Sequence, residues 1–286
     1  MIQEFFSSWE LFQISYLSGW FIAILLSITG FLVVSRNQIF YGAAISQSST
    51  FGIAFGLWLS SLPWAIDYPW LKSNFSFSFL AIFFSILAAF IMARGGKKGR
   101  ESHEAITGWV FLLAASGSIL LVSHSPHGLE EVHRLLSSSI IGATKEDLFL
   151  FALFSLIAIL FIRVQQKPLL LFVMDPEMGA SVGMRIHLWS VLTSLWLGIV
   201  VGLAIRSSGM LYTFGCLVLP GLCAKNISKE LKEVFLKAPL FALVLAFLGN
   251  FLANYYDFPP AQLTIGLMCL ALLFSWFYRS LSIKKI

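Results

Sequence analysis

The sequence predicts an all-α, polytopic integral membrane protein with about nine transmembrane helices, within a range of eight to ten. Hydrophobic residues make up 58% of the 286 residues and charged residues only 12%, whereas a soluble domain carries roughly 25% charge. The apolar stretches are continuous and reach the roughly 20 residues that a spanning helix needs. They differ from the short alternating segments of a β-barrel.

Nine apolar segments predict the spans. The second contains a run of polar residues, and only "RSSG" separates the sixth from the seventh. No polar stretch is long enough for a soluble catalytic or nucleotide-binding domain, so we expect residues 1–286 to form a single transmembrane domain. The segments cover roughly residues 13–35, 40–62, 75–94, 105–124, 147–164, 188–206, 209–225, 237–256 and 261–279.

Basic residues cluster after the first, third, fifth, seventh and last segments, for example at Arg36, in "RGGKKGR" (94–100) and at Lys284 and Lys285. With nine spans and the N-terminus outside, all of these clusters lie on one side of the membrane. The positive-inside rule makes that side cytoplasmic. The same clusters account for the isoelectric point of about 9.2, so we expect the lipid bilayer and no nucleic acid as a partner.

The second segment contains "YGAAISQSSTFGIAFG" (41–56), with five consecutive hydroxyl or amide side chains. Without this span, the basic clusters would no longer all lie on one side of the membrane. We therefore place the run inside the membrane, in the first half of a helix. Lipid offers such groups no partners, so they must face other helices or a cavity. Two interpretations stay open: a tightly packed seam between helices, favoured by the small residues, and the wall of a permeation path.

The loop after the fourth segment contains "HSPHGLEEVH" (124–133) on the predicted outer side. Imidazole and carboxylate together suit zinc or manganese. In a helix, His127, Glu130 and His133 would form a partial stripe, because residues three apart are neighbours. They are therefore a candidate weak outer metal site, and a solvated amphipathic helix is the alternative.

The cytoplasmic loop "FVMDPEMGASVGMRIH" (172–187) predicts a short helix. Asp175 suits the N-cap, Pro176 the first helical position and Glu177 the first turn, while Gly183 suits the C-terminal end. We expect this helix to lie across the membrane face without packing contacts of its own. Docking onto a cytoplasmic partner would supply the packing contacts that the helix lacks.

The sequence carries no pattern of a catalytic site. It lacks H-E-x-x-H, and no carboxylate or histidine lies in the middle of an apolar segment, although proton relays need such groups. It also lacks the phosphate-binding G-x-x-x-x-G-K-[ST] motif. We therefore expect no catalytic residues, no resident cofactor and no ATP hydrolysis by this chain alone.

Five segments, in order from residue 36 to the C-terminus, resemble the permease subunit of zinc/manganese-type ABC importers. "DPEMGASVGMRI" resembles that family's Asp-Pro-Glu-x-Ala-x-x-x-Gly coupling segment, and the polar run resembles its Tyr/Phe-x-Gly-Asp-Ala-Leu-Ala/Ser-His segment. The five segments are "SRNQIFYGAAISQSSTFGIAFGL", "IIGATKEDL", "DPEMGASVGMRI", "GMLYTFGCLVLPGLCAKNI" and "ANYYDFPPAQLTIGL".

The resemblance implies a fold like that of type II ABC importers in the bacterial inner (plasma) membrane. It implies transport of a divalent metal, zinc or manganese, with iron as a further candidate, and ATP bound by a separate cytoplasmic ABC ATPase. An extracytoplasmic metal-binding protein and a second permease copy or paralogue are the other implied partners. The implied path residues are Gly42, Ala43, Ser46, Gln47 and Ser49, and the implied residues of coupling to the ATPase are Asp175, Pro176, Glu177, Gly179 and Gly183.

One departure from the family concerns the metal itself. Where the family has Gly-Asp-x-x-x-His, this chain has Gly42, Ala43 and Gln47, so a carboxylate and an imidazole are replaced by a methyl group and a neutral amide. Three explanations stay open: ligands from a partner permease, a path without direct coordination, or a cargo that is not a bare metal ion. A secondary transporter and a non-transporting relative of the family are the alternative functions.

Overall fold

The computed structural model describes residues 2–63, 68–94, 102–123 and 142–283, and within these ranges the secondary structure is entirely helical. A short 3₁₀ helix, Pro69–Lys72, precedes α3. The helices are α1 (Ile2–Ser35), α2 (Ile39–Ser60), α3 (Asn74–Arg94), α4 (His103–Ser123), α5 (Lys145–Met174), α6 (Pro176–Ser181), α7 (Ile186–Ile227), α8 (Leu231–Tyr256) and α9 (Pro260–Ile283).

Seven of the described helices are long and apolar enough to cross a membrane: α1, α3, α4, α5, α7, α8 and α9. The chain is therefore a multi-pass, all-α membrane protein. Helix α2 is not among the seven, because its polar run lowers its hydropathy, and α7 counts once although it covers two predicted segments. A helix covers each of the nine predicted segments, but the number of nine spans stays a prediction.

Helix α7 is broken at Gly209. Its 42 residues would form a straight helix of about 63 Å, roughly twice the hydrocarbon thickness of a bilayer. Gly209 has a φ of 73° and a ψ of 174°, a backbone region that only glycine occupies without strong strain. The break lies where the sequence predicts the boundary between the sixth and seventh segments.

Helix α5 extends further than the sequence predicts. The expected end near residue 164 is wrong, because the helix continues to Met174 across a non-helical Gln165 (φ −108°, ψ 22°). Pro168 explains the irregularity, since it cannot donate to the preceding turn and its ring displaces the carbonyl there. Beyond it, Leu169, Phe172 and Val173 are buried, so packing stabilises the additional helical turns.

The helices group into two compact units, and the single transmembrane domain over residues 1–286 stays a prediction. The first unit comprises residues 1–38, 139–186 and 211–286. In it α1 packs against α5 and α8, and α8 packs against α9. The Tyr212 hydroxyl donates to the Gly19 carbonyl at 3.0 Å, and the Ser155 hydroxyl donates to the Phe21 carbonyl at 3.1 Å. These bonds join α1 to α7 and to α5.

The second unit comprises residues 39–138 and 187–210. In it α2 packs against both α3 and α4. The backbones approach closely at Gly52, where a Cβ atom would lie 2.5 Å from the carbonyl oxygen of Leu80. Small residues permit such approaches between membrane helices, so α2 is held tightly among its neighbours.

Candidate functional site

The polar run of α2 is enclosed by protein. Every residue from Tyr41 to Thr50 is buried, and Ser46 and Ser49 have no exposed surface while Gln47 is 7% exposed. Burial all around a helix distinguishes an internal helix from one that presents a face to its surroundings. As the sequence predicts, the polar run lies within a helix, and its side chains face other parts of the protein.

The hydroxyls of the run differ in their hydrogen bonds. Ser48 donates to the Ala44 carbonyl at 2.8 Å and Thr50 donates to the Ser46 carbonyl at 3.2 Å, a common arrangement within helices. Within the described part of the chain, the hydroxyls of Ser46 and Ser49 have no hydrogen-bond partner. Leaving such a group unpaired costs roughly 1–3 kcal/mol, so these two hydroxyls are the groups in α2 best suited to bind a ligand or water.

Gly42, Ser46 and Ser49 share one face of α2, because they are spaced four and three residues apart. Ala43 and Gln47 form the adjacent stripe, also with a spacing of four. The site can donate and accept hydrogen bonds through two hydroxyls and one neutral amide. These five residues carry no imidazole and no carboxylate, the side chains that divalent zinc and manganese prefer.

Tyr41 anchors the start of this helix, a role that the sequence did not reveal. Its hydroxyl donates to the Ala89 carbonyl of α3 at 2.8 Å and shares a hydrogen bond of 3.0 Å with Ser194 of α7. The bonds hold the residue next to Gly42 against two other helices. No local signal identifies these partners, because they lie about 50 and 150 residues away.

The second candidate region is the loop around α6, whose local structure matches the prediction. The Met178 amide donates to the Asp175 carboxylate at 2.9 Å, so Asp175 is the N-cap. Pro176 occupies the first turn together with Glu177, and Gly183, with a φ of +85°, lies just beyond the C-terminal end. Their role in coupling stays a prediction.

Gly179 differs from the expectation, because it is the buried residue of α6. A Cβ atom there would lie 2.9 Å from Ile186 and 3.4 Å from the Met184 sulfur. The expectation that α6 lacks packing contacts of its own is therefore wrong, since an apolar contact with the flanking chain holds it. The large apolar side chains that the loop exposes are Met178, which is 57% exposed, and Met174 and Val182, which are each 66% exposed.

The predicted outer metal site cannot be compared with the structure. His127, Glu130 and His133 lie outside the residues that the structure describes, so that site stays a prediction. Within residues 2–63, 68–94, 102–123 and 142–283, no group of three or more His, Cys, Asp or Glu residues is arranged to hold a metal ion.

The fold and the buried polar helix define a multi-pass α-helical membrane protein with polar groups inside it. Residues 8–279 match the sequence model of the ABC 3 transport family, and the chain belongs to that family. The predicted resemblance to metal ABC permeases is thereby confirmed.

The relatives agree with this assignment. The manganese transport system membrane protein MntC of Halalkalibacterium halodurans is 22% identical over 82% of this chain and 76% of its own length. The high-affinity zinc uptake system membrane protein ZnuB of Buchnera aphidicola is 25% identical over 88% of this chain and 92% of its own. The structure of PsaBC from Streptococcus pneumoniae in complex with Fab superposes with a TM-score of 0.79 at 21% identity, covering 96% of this chain and 95% of the other.

Proposed function

We propose that this chain is the membrane-spanning permease subunit of an ABC importer for divalent metal ions, with zinc or manganese as the first candidates and iron as a third. The observation that carries the proposal is the buried run of α2, where the Ser46 and Ser49 hydroxyls have no hydrogen-bond partner among the residues that the structure describes. In a family of transport proteins, a buried helix with uncommitted polar groups is suited to line the path of a polar cargo.

The arrangement in the membrane and the partners form part of the same proposal. Nine spans place the N-terminus outside and the C-terminus in the cytoplasm of a bacterial inner membrane. ATP is bound and hydrolysed by a separate cytoplasmic ATPase, an extracytoplasmic protein delivers the metal, and a second permease copy or paralogue completes the complex. The capped α6 loop, with exposed apolar Met178 and Val182, supports a docking surface for the ATPase.

The chemistry of the cargo depends on Ala43 and Gln47. A path without carboxylate or imidazole offers only weak direct ligands to a bare divalent ion. Outer contacts to a hydrated or chelated metal, or ligands from the second permease, are compatible with hydroxyls and an amide. The same two residues favour the second candidate, a relative that no longer transports metal.

Metal uptake by the native host tests the proposal. We expect deletion of the chain to reduce uptake of radiolabelled Mn²⁺ or Zn²⁺ to the background, and expression of the chain from a plasmid to restore it. Because the energy source is ATP, depletion of ATP should stop uptake while collapse of the proton gradient alone should not. Unchanged uptake of both metals in the deletion strain would contradict the proposal, and dependence on the proton gradient would favour a secondary transporter.

Restoring the missing ligands tests the path itself. The double substitution Ala43→Asp with Gln47→His is expected to change metal selectivity or uptake rate more than either single substitution, because side chains four residues apart share one helical face. Uptake of Mn²⁺ and Zn²⁺ in competition measures this. A carboxylate that faced lipid would instead cost roughly 2.5–3.5 kcal/mol and lower the amount of protein in the membrane.

The matched control is Ala44→Asp with Ser48→His, which places the same pair at the same spacing on an adjacent, equally buried stripe of α2. We expect no gain of selectivity from the control pair. Wild-type expression together with wild-type transport in the Ala43/Gln47 double variant would show that this face does not line the path, and would return the run to the role of a packing seam.

A further inference from the structure

The three-residue turn between α1 and α2 is fixed by backbone hydrogen bonds and by side chains of other helices. The Gln38 amide donates to the Val33 carbonyl at 2.9 Å and the Asn37 amide to the Val34 carbonyl at 3.2 Å. With Asn37 at a φ of 54°, this is a Schellman ending of α1. The chain then enters α2 at Ile39, only a few residues before the buried polar run.

Lys225 of α7 provides a second set of bonds to the same turn. Its ammonium group donates to the Asn37 side-chain oxygen at 2.9 Å and to the Val34 carbonyl at 3.4 Å. A cation at the C-terminal end of a helix is also favoured by the helix dipole. Hydrogen bonds from the Lys225 ammonium group therefore hold the turn against the C-terminal part of α7.

Arg36 connects the turn to the other candidate region. Its guanidinium carbon lies 4.9 Å from the ring centroid of Phe172, a distance typical of a cation–π contact. Phe172 is only 1% exposed and lies three residues before the α6 N-cap, Asp175. A Cβ atom on Gly179 in α6 would lie 3.7 Å from the side chain of Leu171, the residue before Phe172.

These contacts connect the end of α5, which leads into the α6 loop, to the α1–α2 turn, and this turn ends one residue before α2 begins at Ile39. We propose that Arg36 and Lys225 are positioning residues that transmit movement of the α6 loop to the polar helix α2 through the α1–α2 turn. The inference rests on the proposed function, because α6 moves α2 only if an ATPase moves α6.

The experiment uses the complete permease–ATPase complex in proteoliposomes, with radiolabelled Mn²⁺ and Zn²⁺ as probes. The variants are Arg36→Gln, Phe172→Leu and their combination. We expect ATPase co-purification and ATP hydrolysis to stay within twofold of wild type, while metal carried per ATP falls at least fivefold, the lower bound of typical coupling between sites. The combination should lower metal carried per ATP by less than the product of the two single effects, because both substitutions remove the shared cation–π contact.

Two further variants separate positioning from folding. Lys225→Gln removes the second set of bonds from a half-exposed side chain, and it should also lower metal carried per ATP without loss of protein. Lys232→Gln removes an exposed basic residue at the start of α8, and it should leave the ratio unchanged.

Unchanged metal carried per ATP in Arg36→Gln and Lys225→Gln would overturn the proposal. Loss of ATPase binding in parallel with uptake would also overturn it, since the contacts would then serve only assembly. A wild-type complex that carries neither metal would contradict the proposed function itself, and the inference with it.

Discussion

Replacement of Gly30 with alanine is expected to lower the thermal unfolding midpoint of the protein strongly. A Cβ atom on Gly30 would overlap the carbonyl oxygen of Leu217 and lie 2.7 Å from its carbonyl carbon. These are backbone atoms of α7, so no side-chain rotation can relieve the overlap, and α1 and α7 must separate. Overpacking costs typically 1–3 kcal/mol, and we expect a value of about 3 kcal/mol here. The thermal unfolding midpoint in detergent measures the effect.

The matched control is Gly266→Ala in α9. Among the described residues, no atom lies within 4 Å of a Cβ atom at that position, so the added methyl group meets open space there, and alanine is the better helix former. We expect its unfolding midpoint to equal or slightly exceed that of wild type. If the Gly30 and Gly266 variants unfolded at the same temperature, the close approach of α1 to α7 at Leu217 would be wrong.

The substitution Met178→Glu is expected to abolish docking of the ATPase and reduce metal uptake at least tenfold. Met178 is 57% exposed on α6, and a carboxylate buried without a partner in an interface costs several kcal/mol. If Met178 is one of the few hot-spot residues of the interface, its loss alone costs roughly 2 kcal/mol or more, so the complex should dissociate. The new glutamate lies in the first turn of α6, where the helix dipole favours it, so the loop itself should stay folded. Co-purification of the ATPase and metal uptake measure the effect.

Ala180→Glu is the control for charge. Ala180 is exposed and lies two residues away, on the opposite side of the helix, so the same charge should leave ATPase binding near the wild-type level. Equal binding by the Met178 and Ala180 variants, both with normal uptake, would argue against a docking role for the exposed face of α6.

We also expect bulky residues at Gly179 and Gly183 to weaken the ATPase complex, because they would distort the α6 loop itself. A side chain at Gly179 meets Ile186, and a side chain at Gly183 must adopt a φ of +85°, which costs roughly 1–2 kcal/mol for other residues. Both changes would distort the loop before they touched a partner. The exposed Met178 therefore separates docking from loop folding better than either glycine does.

Much of the helical architecture follows from short-range information. Continuous apolar runs predict the helices, because a chain in lipid must satisfy its backbone hydrogen bonds locally. Asp175, Pro176 and Gly183 predict the ends of α6, since capping and positive φ depend on neighbouring residues only. The "RSSG" boundary predicts the break at Gly209 for the same reason.

Other features depend on residues far apart in the chain. The sequence predicts the end of α5 too early, because burial of Phe172 and Val173 extends the helix beyond Pro168. The contacts of Tyr41 with Ala89 and Ser194 join parts of the chain about 50 and 150 residues apart. The burial of Gly179 likewise depends on how the chain folds back at Ile186.

The sequence by itself determined that this protein is a multi-pass helical membrane protein with a polar run in α2 and a capped loop helix, and five of its segments resemble metal ABC permeases. These properties follow from composition, local capping and motifs that lie within about 20 residues. Only the tertiary structure decided that the Ser46 and Ser49 hydroxyls have no partner within the described ranges, that Met178 rather than Gly179 is exposed, and that Arg36 lies on Phe172. Burial and hydrogen-bond pairing are properties of atoms that only the packing of distant helices brings together.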